Sequence, residues 1–525
     1  MASDHQYVEV NCQRSLGNGQ FASGLQDFVF SIGRPSVFMP SKSYFRVELS
    51  LRAGAAAGLV GPQPTIANQL ALAENCVANC YNNMYFLAGG QSVSQVTNFL
   101  PQAAAVEYRT GQQQGWLKSI GASAFTYNPN LSSRISMVSG GTETTAFHQD
   151  EGKDVTYRKA AAASYNAATV SIAAVTGVLT GANTTFNDGA NPILGINDIG
   201  STIVVSGQKF TILTINQAAQ TGTVTPVPLA NTGAVPNWYQ VRRASKITDG
   251  SIEGKNTMHV LWRPTVLGIF NYAGVLGSGD YRIQLNPDVN YKFAGVETLN
   301  TEYKNADASG YQFEIANVIF YAAVAKMSIP DTIERMKLTE FAVLTKNATT
   351  TEGNYQFTVP SSTRALYVAV QAGDSGSNPA HPPSRFIVGE GQELNMTSMQ
   401  ITYANMTKPM TRWKSGFSAS GTDQQNFMTQ FYYQSAIETG RASLAAGIET
   451  EAEWLSRGPY VCFRFDRDVN DRSTEVQLQL NYGTPVAPAA WSGATKLLLI
   501  AEYTNYVEIT TQAGLVVKVD KVASA

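Results

Sequence analysis

The strongest constraint on this chain is a line it writes twice. Residues 40–54 read PSKSYFRVELSLRAG and residues 360–373 read PSSTRALYVAVQAG. Each opens on a Pro-Ser turn, runs into a strand and ends on Ala-Gly. In the first copy Phe45, Val47, Leu49 and Leu51 share one face, and Arg46, Glu48, Ser50 and Arg52 share the other. That is the period of two of a strand with one buried face. Four large apolar side chains buried on such a strand stabilise it by ~6–12 kcal/mol before conformational entropy is subtracted.

Strand patterns dominate the rest of the chain. QDFVFSI (26–32), TMHVLWR (257–263), YRIQLN (281–286), YQFEIANVIFYAAVAKM (311–327), YVCFRF (460–465), EVQLQLNY (475–482) and KLLLIAEYTNYVEI (496–509) are rich in aromatic and branched residues. Most alternate and end in Gly, Pro, Asn or Asp, as strands of antiparallel sandwiches do. Two helices interrupt them. Residues 98–109 have Asn98 as candidate N-cap, Pro101 in the first turn and Gly111 past the end. Residues 423–439 place Phe427 with Phe431 and Met428 with Tyr432 at i,i+4, with Thr422 or Asp423 as cap and Gly440 as stop.

These elements recur in one order. The first helix begins 58 residues after Pro40 and the second 63 after Pro360. A strand containing Gln-Leu-Asn follows each helix, and a long strand closes each half. The expectation is a duplicated β-domain. From Pro40 to Asn286 is 246 residues and from Pro360 to Asn481 only 121, so the first half carries 125 extra. Between Ala160 and Gln240 the only charged residues are Asp188, Asp198 and Lys209. ATVSIAAVTG (168–177) and GSTIVVSGQKFTILTIN (200–216) read as strands there. A disordered linker would carry more charge and fewer branched residues. We therefore expect an N-terminal arm over 1–24, a first β-domain over 25–330 with a β-module inserted at 160–240, and a second β-domain plus tail over 331–525.

Only 14% of residues are charged, against a usual ~25%. So apolar a chain can bury a large core, and much of its surface is expected to meet protein. The net charge is −2, and no segment forms the basic patch or arm that phosphate binding needs. Direct sequence-specific nucleic-acid binding is not expected. Four cysteines are too few for a disulfide scaffold. The first residues lack a signal-peptide pattern, and apolar runs such as VIFYAAVA (318–325) fall short of the ~20 residues of a membrane span. A soluble, reduced protein made inside a cell is expected.

Chemical motifs are few and incomplete. GDSG at 373–376 copies a serine-protease nucleophile segment, but His5, His148, His259 and His381 offer no matching base, and a turn after ALYVAVQ explains it better. DRDVNDRSTEVQ (466–477) starts as a calcium loop with Asp466, Asp468 and Asn470. Asp471 then stands where Gly is needed and Gln477 where Glu is needed. Cys76 and Cys80 lack the second ligand pair of a zinc site and read as buried small side chains. GVLGSG (274–279) opens no helix, so it cradles no phosphate. The Asn183 and Asn347 sequons carry weight only in a secreted protein. No catalytic residues, cofactor site or metal site are assigned, and no enzyme is expected.

The ordered set of patterns resembles one family. SYFRVELSLRAG, ENCVANCYNNMYFLAGGQSVSQVTNFLPQAAAVEYRTGQQQGWLKSIG (74–121), YRIQLNPDVNYKF and YQFEIANVIFYAAVAKM look like the first half of the major capsid proteins of small double jelly-roll DNA viruses. These are the virophage, polinton-like virus and adintovirus group. The shared features are Asn79, Asn82 and Asn83 with Tyr85-Phe86, then Gln91–Ser94, then a helix with Tyr108-Arg109. QNFMTQFYYQSAIETG (425–440), YVCFRFDRDVND (460–471), VQLQLNYG (476–483) and TKLLLIAEYTNYVEI (495–509) look like its second half. The resemblance spans most of the chain outside ~140–250 and rests on order rather than catalytic signatures.

It implies an all-β fold of two tandem eight-stranded jelly rolls, with the repeated line opening the second strand of each. It also implies homotrimeric, pseudo-hexagonal capsomers tiling an icosahedral shell around a DNA genome. Penton and minor or cement proteins would be partners, an internal membrane is compatible, and the location would be the virion. The β-module would project from the outer end of the capsomer. A β-sandwich adhesin, fibre or lectin-like binding protein is the alternative with the same strand content. A glycosidase would need a carboxylate pair that the sequence does not reveal.

Overall fold

The computed structural model describes residues 5–13, 24–53, 70–72, 74–112, 116, 120–121, 136–139, 142–145, 154–157, 169–182, 202–205, 208–216, 219, 221–232, 239–243, 257–288, 296–298, 311–327, 330–348, 352–371, 373, 375, 383–386, 396–414, 431–439, 449, 454, 457–465, 473–482 and 495–522. The first half begins with strands β1 (Gln6–Asn11), β2 (Gln26–Ile32), β3 (Ser36–Phe38), β4 (Tyr44–Ala53) and β5 (Leu70–Leu72). The short helix α1 (Cys76–Asn79), β6 (Tyr81–Ala88), β7 (Gln91–Val96) and helix α2 (Leu100–Gly111) follow. Next come β8 (Ser136–Ser139), β9 (Thr142–Thr145), β10 (Asp154–Tyr157), β11 (Thr169–Ile172), β12 (Val178–Ala182), β13 (Thr202–Val205), β14 (Gln208–Asn216), β15 (Thr221–Thr225) and β16 (Tyr239–Arg243). The half closes with β17 (Thr257–Trp262), β18 (Gly279–Pro287), β19 (Val296–Thr298) and β20 (Tyr311–Lys326).

The second half is plainer. Its strands are β21 (Thr332–Asn347), β22 (Glu352–Thr358), β23 (Thr363–Gln371), β24 (Met396–Tyr403), β25 (Met406–Lys414), β26 (Tyr460–Arg464), β27 (Glu475–Tyr482), β28 (Lys496–Gln512) and β29 (Leu515–Val522). Residues 431–438 form a helix between β25 and β26.

Two sheets build each half, and their strand orders coincide. The first half has β1-β20-β4-β17 and β2-β18-β6-β7; the second has β21-β28-β23-β26 and β22-β27-β24-β25. Numbering eight principal strands along each half gives 1-8-3-6 and 2-7-4-5 both times. All pairings are antiparallel, and this order is that of a jelly roll. The fold is therefore two jelly rolls in tandem. The repeated line lies in β4 and β23, the third strand of each roll rather than the expected second. Its turn is built alike in both: Ser43 N donates to Pro40 O at 3.0 Å, and Thr363 N to Pro360 O at 3.1 Å.

The expected arm over 1–24 needs a correction. Gln6–Asn11 are the outermost strand of the first sheet, paired with β20 from Gln6↔Val324 to Asn11↔Ile319. Only Val10 of that strand is buried, so its sequence lacks the apolar alternation that marks the others. The first helix also starts later than expected. Phe99, not Asn98, precedes it, in a left-handed conformation (φ 59°) without a side-chain cap. Phe99 N donates instead to Asn82 Oδ1 at 3.1 Å. A contact from strand β6 thus overrides the local capping preference.

The two rolls share one hydrophobic core with different textures. Rings fill the first: Phe45 lies 5.3 Å from Phe28 and 4.8 Å from Phe320, and Phe38 stacks on Phe86 at 5.9 Å. Aliphatic side chains fill the second, with Leu366, Val368, Leu478, Leu480, Leu498 and Ile500 all buried. In β4 the described residues alternate, with Phe45 and Val47 inward and Arg46 and Glu48 half-exposed. In β23 nearly every residue is buried, because the second face packs too.

β10 to β16 lie outside both rolls, between β7 and β17. They form a seven-stranded sheet of order β10-β16-β13-β14-β15-β12-β11 with a separate core of Val170, Ile172, Leu179, Ile203, Val205, Phe210, Ile212, Ile215 and Val224. The sequons divide: Asn347 is exposed at the end of β21, and Asn183 lies outside the described residues.

Candidate functional site: the seam between the rolls

The two rolls meet along a seam that buries charged side chains. The join is made by α2 and β7 of the first roll against β21 and β28 of the second, together with the segments that carry Glu74, Glu449 and Arg457, and it contains a network of four buried charges. Arg109, near the end of α2, donates through Nε to Glu449 Oε1 and Oε2 at 3.0 and 3.2 Å. Its Nη1 donates to Gly458 O at 2.8 Å and Nη2 to Trp454 O at 3.3 Å. The guanidinium also lies 4.7 Å from the centroid of Tyr460 and 5.7 Å from that of Phe386. Arg457 of the second roll reaches back, its Nε 3.0 and 3.1 Å from the carboxylate of Glu74 in the first. Its Nη1 lies 3.9 Å from Glu449.

Two positive and two negative groups therefore alternate across the join, with side-chain exposures between 0 and 6%. Burial acts to lower the pKa of Arg109, but Glu449, Tyr460 and Tyr108 outweigh it and hold the net shift upward. Burial, reinforced by Glu74, pushes the Tyr108 hydroxyl well up. Such a network costs desolvation and is tolerated because each charge is both paired and hydrogen-bonded. It requires one relative placement of the rolls, since a shift of an ångström would leave a buried charge unpaired.

Further hydrogen bonds extend the seam. Gln102 Nε2 donates to Gln371 Oε1 at 3.1 Å, and Gln371 Nε2 to Pro383 O at 2.8 Å. Ser384 Oγ donates to Glu74 O at 2.7 Å. On β21, Glu340 receives Gln95 N of β7 at 3.3 Å and Tyr503 OH of β28 at 2.9 Å. Asn505 Nδ2 donates to Val93 O at 3.1 Å. At the far end Ser278, within GVLGSG, bridges β29: Ser278 N donates to Gly514 O and Val516 N to Ser278 O, both at 2.8 Å. Gly277 permits that approach, since a Cβ there would stand 2.9 Å from Gly514 O. Gly458 is forced more tightly, at φ +82° with its Cβ direction filled by the Phe386 backbone.

The family-like residues noted in the sequence lie on the first-roll side. Tyr108-Arg109 enter the seam, Asn79 Nδ2 donates to Glu74 O at 3.1 Å, and Asn82 holds the start of α2. The ion pairs leave no local pattern in the sequence, because Arg109 and Glu449 stand 340 residues apart and Glu74 and Arg457 stand 383 apart. Cys76 and Cys80 are buried, with Cys80 Sγ donating to Cys76 O at 3.2 Å. Burial pushes the Cys76 thiol up to about 12 and Cys80 well above its ordinary value, so both pack as neutral thiols.

No group of three or more metal-type ligands forms among the described residues, and no helix there is long and apolar enough to cross a membrane. Gly373 sits in a turn after β23, and Ser375 Oγ has no hydrogen-bond partner among the described residues. Asp466, Asp468, Asn470, Asp471, His148 and His381, and the expected cap at 422–423, lie outside the described residues.

No family model matches the chain, and no curated protein does. Solved structures do. A chain of the Sputnik virophage in its 3.5 Å cryo-EM structure is similar over 100% of this chain and 89% of its own, with 12% identity and a TM-score of 0.51. The mavirus major capsid protein follows with 11% identity, a TM-score of 0.43 and coverages of 100% and 91%. The Faustovirus major capsid protein has 10% identity, a TM-score of 0.45 and coverages of 96% and 90%. The Sputnik match runs the length of both rolls. With its two jelly rolls fixed side by side, this chain has the double jelly-roll fold found in the Sputnik virophage.

Proposed function

We propose that this chain is a major capsid protein, a structural subunit and not an enzyme. Three copies form a pseudo-hexagonal capsomer of six jelly rolls, and these capsomers tile an icosahedral shell around a DNA genome. The observation that carries the reading is the pairing of two rolls of identical strand order through a charged, buried seam. A rigid two-roll block with similar corners is what a hexagonal lattice cell needs from each third of a trimer. Likeness to a virophage chain over the whole length supports it. Penton and minor or cement proteins are the expected partners in the virion, and the genome is not bound by a basic arm. We take the rolls as residues 25–330, with β1 added, and 331–525. The seven-stranded sheet at 154–243 is then the inserted domain that projects from the outer surface, and labelling of intact particles should mark it.

The test is size and shape in solution. Sedimentation or light scattering of the purified chain should give three times 56.5 kDa, or shells, and negative-stain images should give hexagonal outlines. A stable monomer that binds sugar would favour a lectin-like role instead.

A further inference from the structure

The inserted module exposes a cluster of apolar side chains at one end, and the strand directions say which end. Every neighbouring pair in its sheet is antiparallel. Asp154 at the start of β10 pairs with Arg243 at the end of β16, so the chain enters and leaves the sheet at one end. The turn from β11 to β12 (173–177) and the segment after β15 (226–232) lie at the opposite end, far from the rest of the chain in connection. They pack on each other there. Ala174 N donates to Asn231 Oδ1 at 2.7 Å, Ile172 N to Thr232 Oγ1 at 2.8 Å and Thr232 N to Ile172 O at 3.1 Å. A Cβ on Gly177 would stand 3.1 Å from Val227 Cγ2.

Three large apolar side chains stand out from this tip. Val175 is 88% exposed, Val227 44% and Leu229 103%. Single exposed apolar residues are ordinary, but three on two abutting loops form a patch. Val175 is also held at φ 68°, a left-handed conformation in which a branched side chain is strained. So exposed a side chain repays none of that strain by packing within the chain.

The surrounding chemistry selects the occupant. Residues 168–177 and 226–232 contain no charged side chain, and Lys209 is the single charge on strands β11 to β15. The tip therefore offers no charge pattern for a protein partner or an anionic surface to match. Its apolar area is on the order of a few hundred Å², short of the ~800 Å² that each partner of a stable protein contact buries. Its backbone is also prepared to lose water. Ala173 N, Thr176 N and Gly177 N are already hydrogen-bonded at 2.7–3.0 Å, and Pro226 and Pro228 have no N–H to satisfy. Hydrocarbon demands that satisfaction, whereas water does not.

We propose that this tip inserts shallowly into a bilayer of zwitterionic lipid. Val175, Val227 and Leu229 enter the boundary between headgroups and acyl chains, and the uncharged loops rest among the headgroups. One tip holds weakly, and many tips on one particle hold together. That the bilayer is one met outside the shell rests on the capsid reading and the outward projection of the module; the lipid contact itself does not.

The test uses the full-length chain with Leu229→Trp and phosphatidylcholine vesicles. Emission from the added indole should shift to the blue and be quenched when the acyl chains carry bromine, and added salt should leave both signals unchanged. Val175→Gly in the same background should weaken partitioning roughly tenfold, while the melting temperature holds or rises because glycine accepts the left-handed turn. Assembled shells should float with the same vesicles, and shells carrying Val175→Gly with Leu229→Asn should not. An added indole that neither shifts nor is quenched would overturn the lipid contact and spare the capsid reading. Binding by the free chain but not by assembled shells would overturn the outer bilayer as its target. Loss of association between copies in the Leu229→Asn chain, with vesicle binding unchanged, would assign the tip to a second copy and overturn the proposal.

Discussion

Replacing Arg109 with methionine removes one charge from the four-membered seam and nearly preserves its length and apolar stem. Among the described residues Glu449 then keeps only the 3.9 Å approach of Arg457, and the carbonyls of Gly458 and Trp454 lose the Arg109 donors. Removing one partner of a buried pair costs about 3–5 kcal/mol, most of it the penalty of a stranded charge. With urea slopes of ~1–3 kcal/mol per molar, the transition that separates the rolls should fall by roughly 1–5 M. A chain with several cores need not unfold in one step, so the probe should be local. Trp454, buried at the join with Nε1 bonded to Tyr460 O at 3.1 Å, reports it by fluorescence. Adding Glu449→Leu to Arg109→Met should recover part of the loss, because it removes the stranded charge while the Gly458 and Trp454 carbonyls still lack the Arg109 donors. A shift under about 1 kcal/mol for the single variant, the size of a surface pair, would refute the claim that these charges fix the rolls. So would a double variant as weak as the single one.

Glu107 supplies a pH test. It is buried on α2 with Thr265 Oγ1 at 2.6 Å and Gln112 Nε2 at 2.8 Å. Burial raises its pKa above 4.5 despite those bonds. The folded state therefore holds this proton more tightly than the unfolded one, and the stability it confers is complete below 4.5 and lost as pH rises through the folded value. Melting curves of wild type and Glu107→Gln should diverge in favour of wild type as pH falls from neutrality towards 4.5. For the thiols, only half-buried Cys12 should react with a water-soluble disulfide reagent at pH 8. Cys76, Cys80 and Cys462 should react only on unfolding, which a time course counts. Gly458→Ala forces a Cβ into the Phe386 backbone at a positive φ. It should destabilise the seam by ~1–3 kcal/mol or more, read by the same Trp454 signal.

How far the sequence reveals this molecule depends on the range of each interaction. The rolls are legible because alternation is local: QDFVFSI, YRIQLN and EVQLQLNY each show in six to eight residues which face is buried, and all three are strands. Their repetition in one order reveals the duplication. β1 escapes notice because QYVEVN buries only Val10. The repeated line is displaced by one strand from its expected place because nothing in 15 residues counts the strands before it. The helix start depends on Asn82, 17 residues upstream of Phe99 in another element. The seam is the least legible part. Arg109 stands out through family resemblance, but Glu74, Glu449 and Arg457 are ordinary charges until the fold brings them within 3–4 Å.

Among the described residues, the seven-stranded sheet between β7 and β17 has an interior that shares no residue with the core of the rolls. A segment that supplies its own core can be deleted, exchanged or enlarged with little cost to the framework carrying it. Its history can therefore run at a different pace. Relatives should keep the two rolls and their charged join while differing freely in this one graft, and a foreign sequence placed there should be tolerated where one placed in β23 would not.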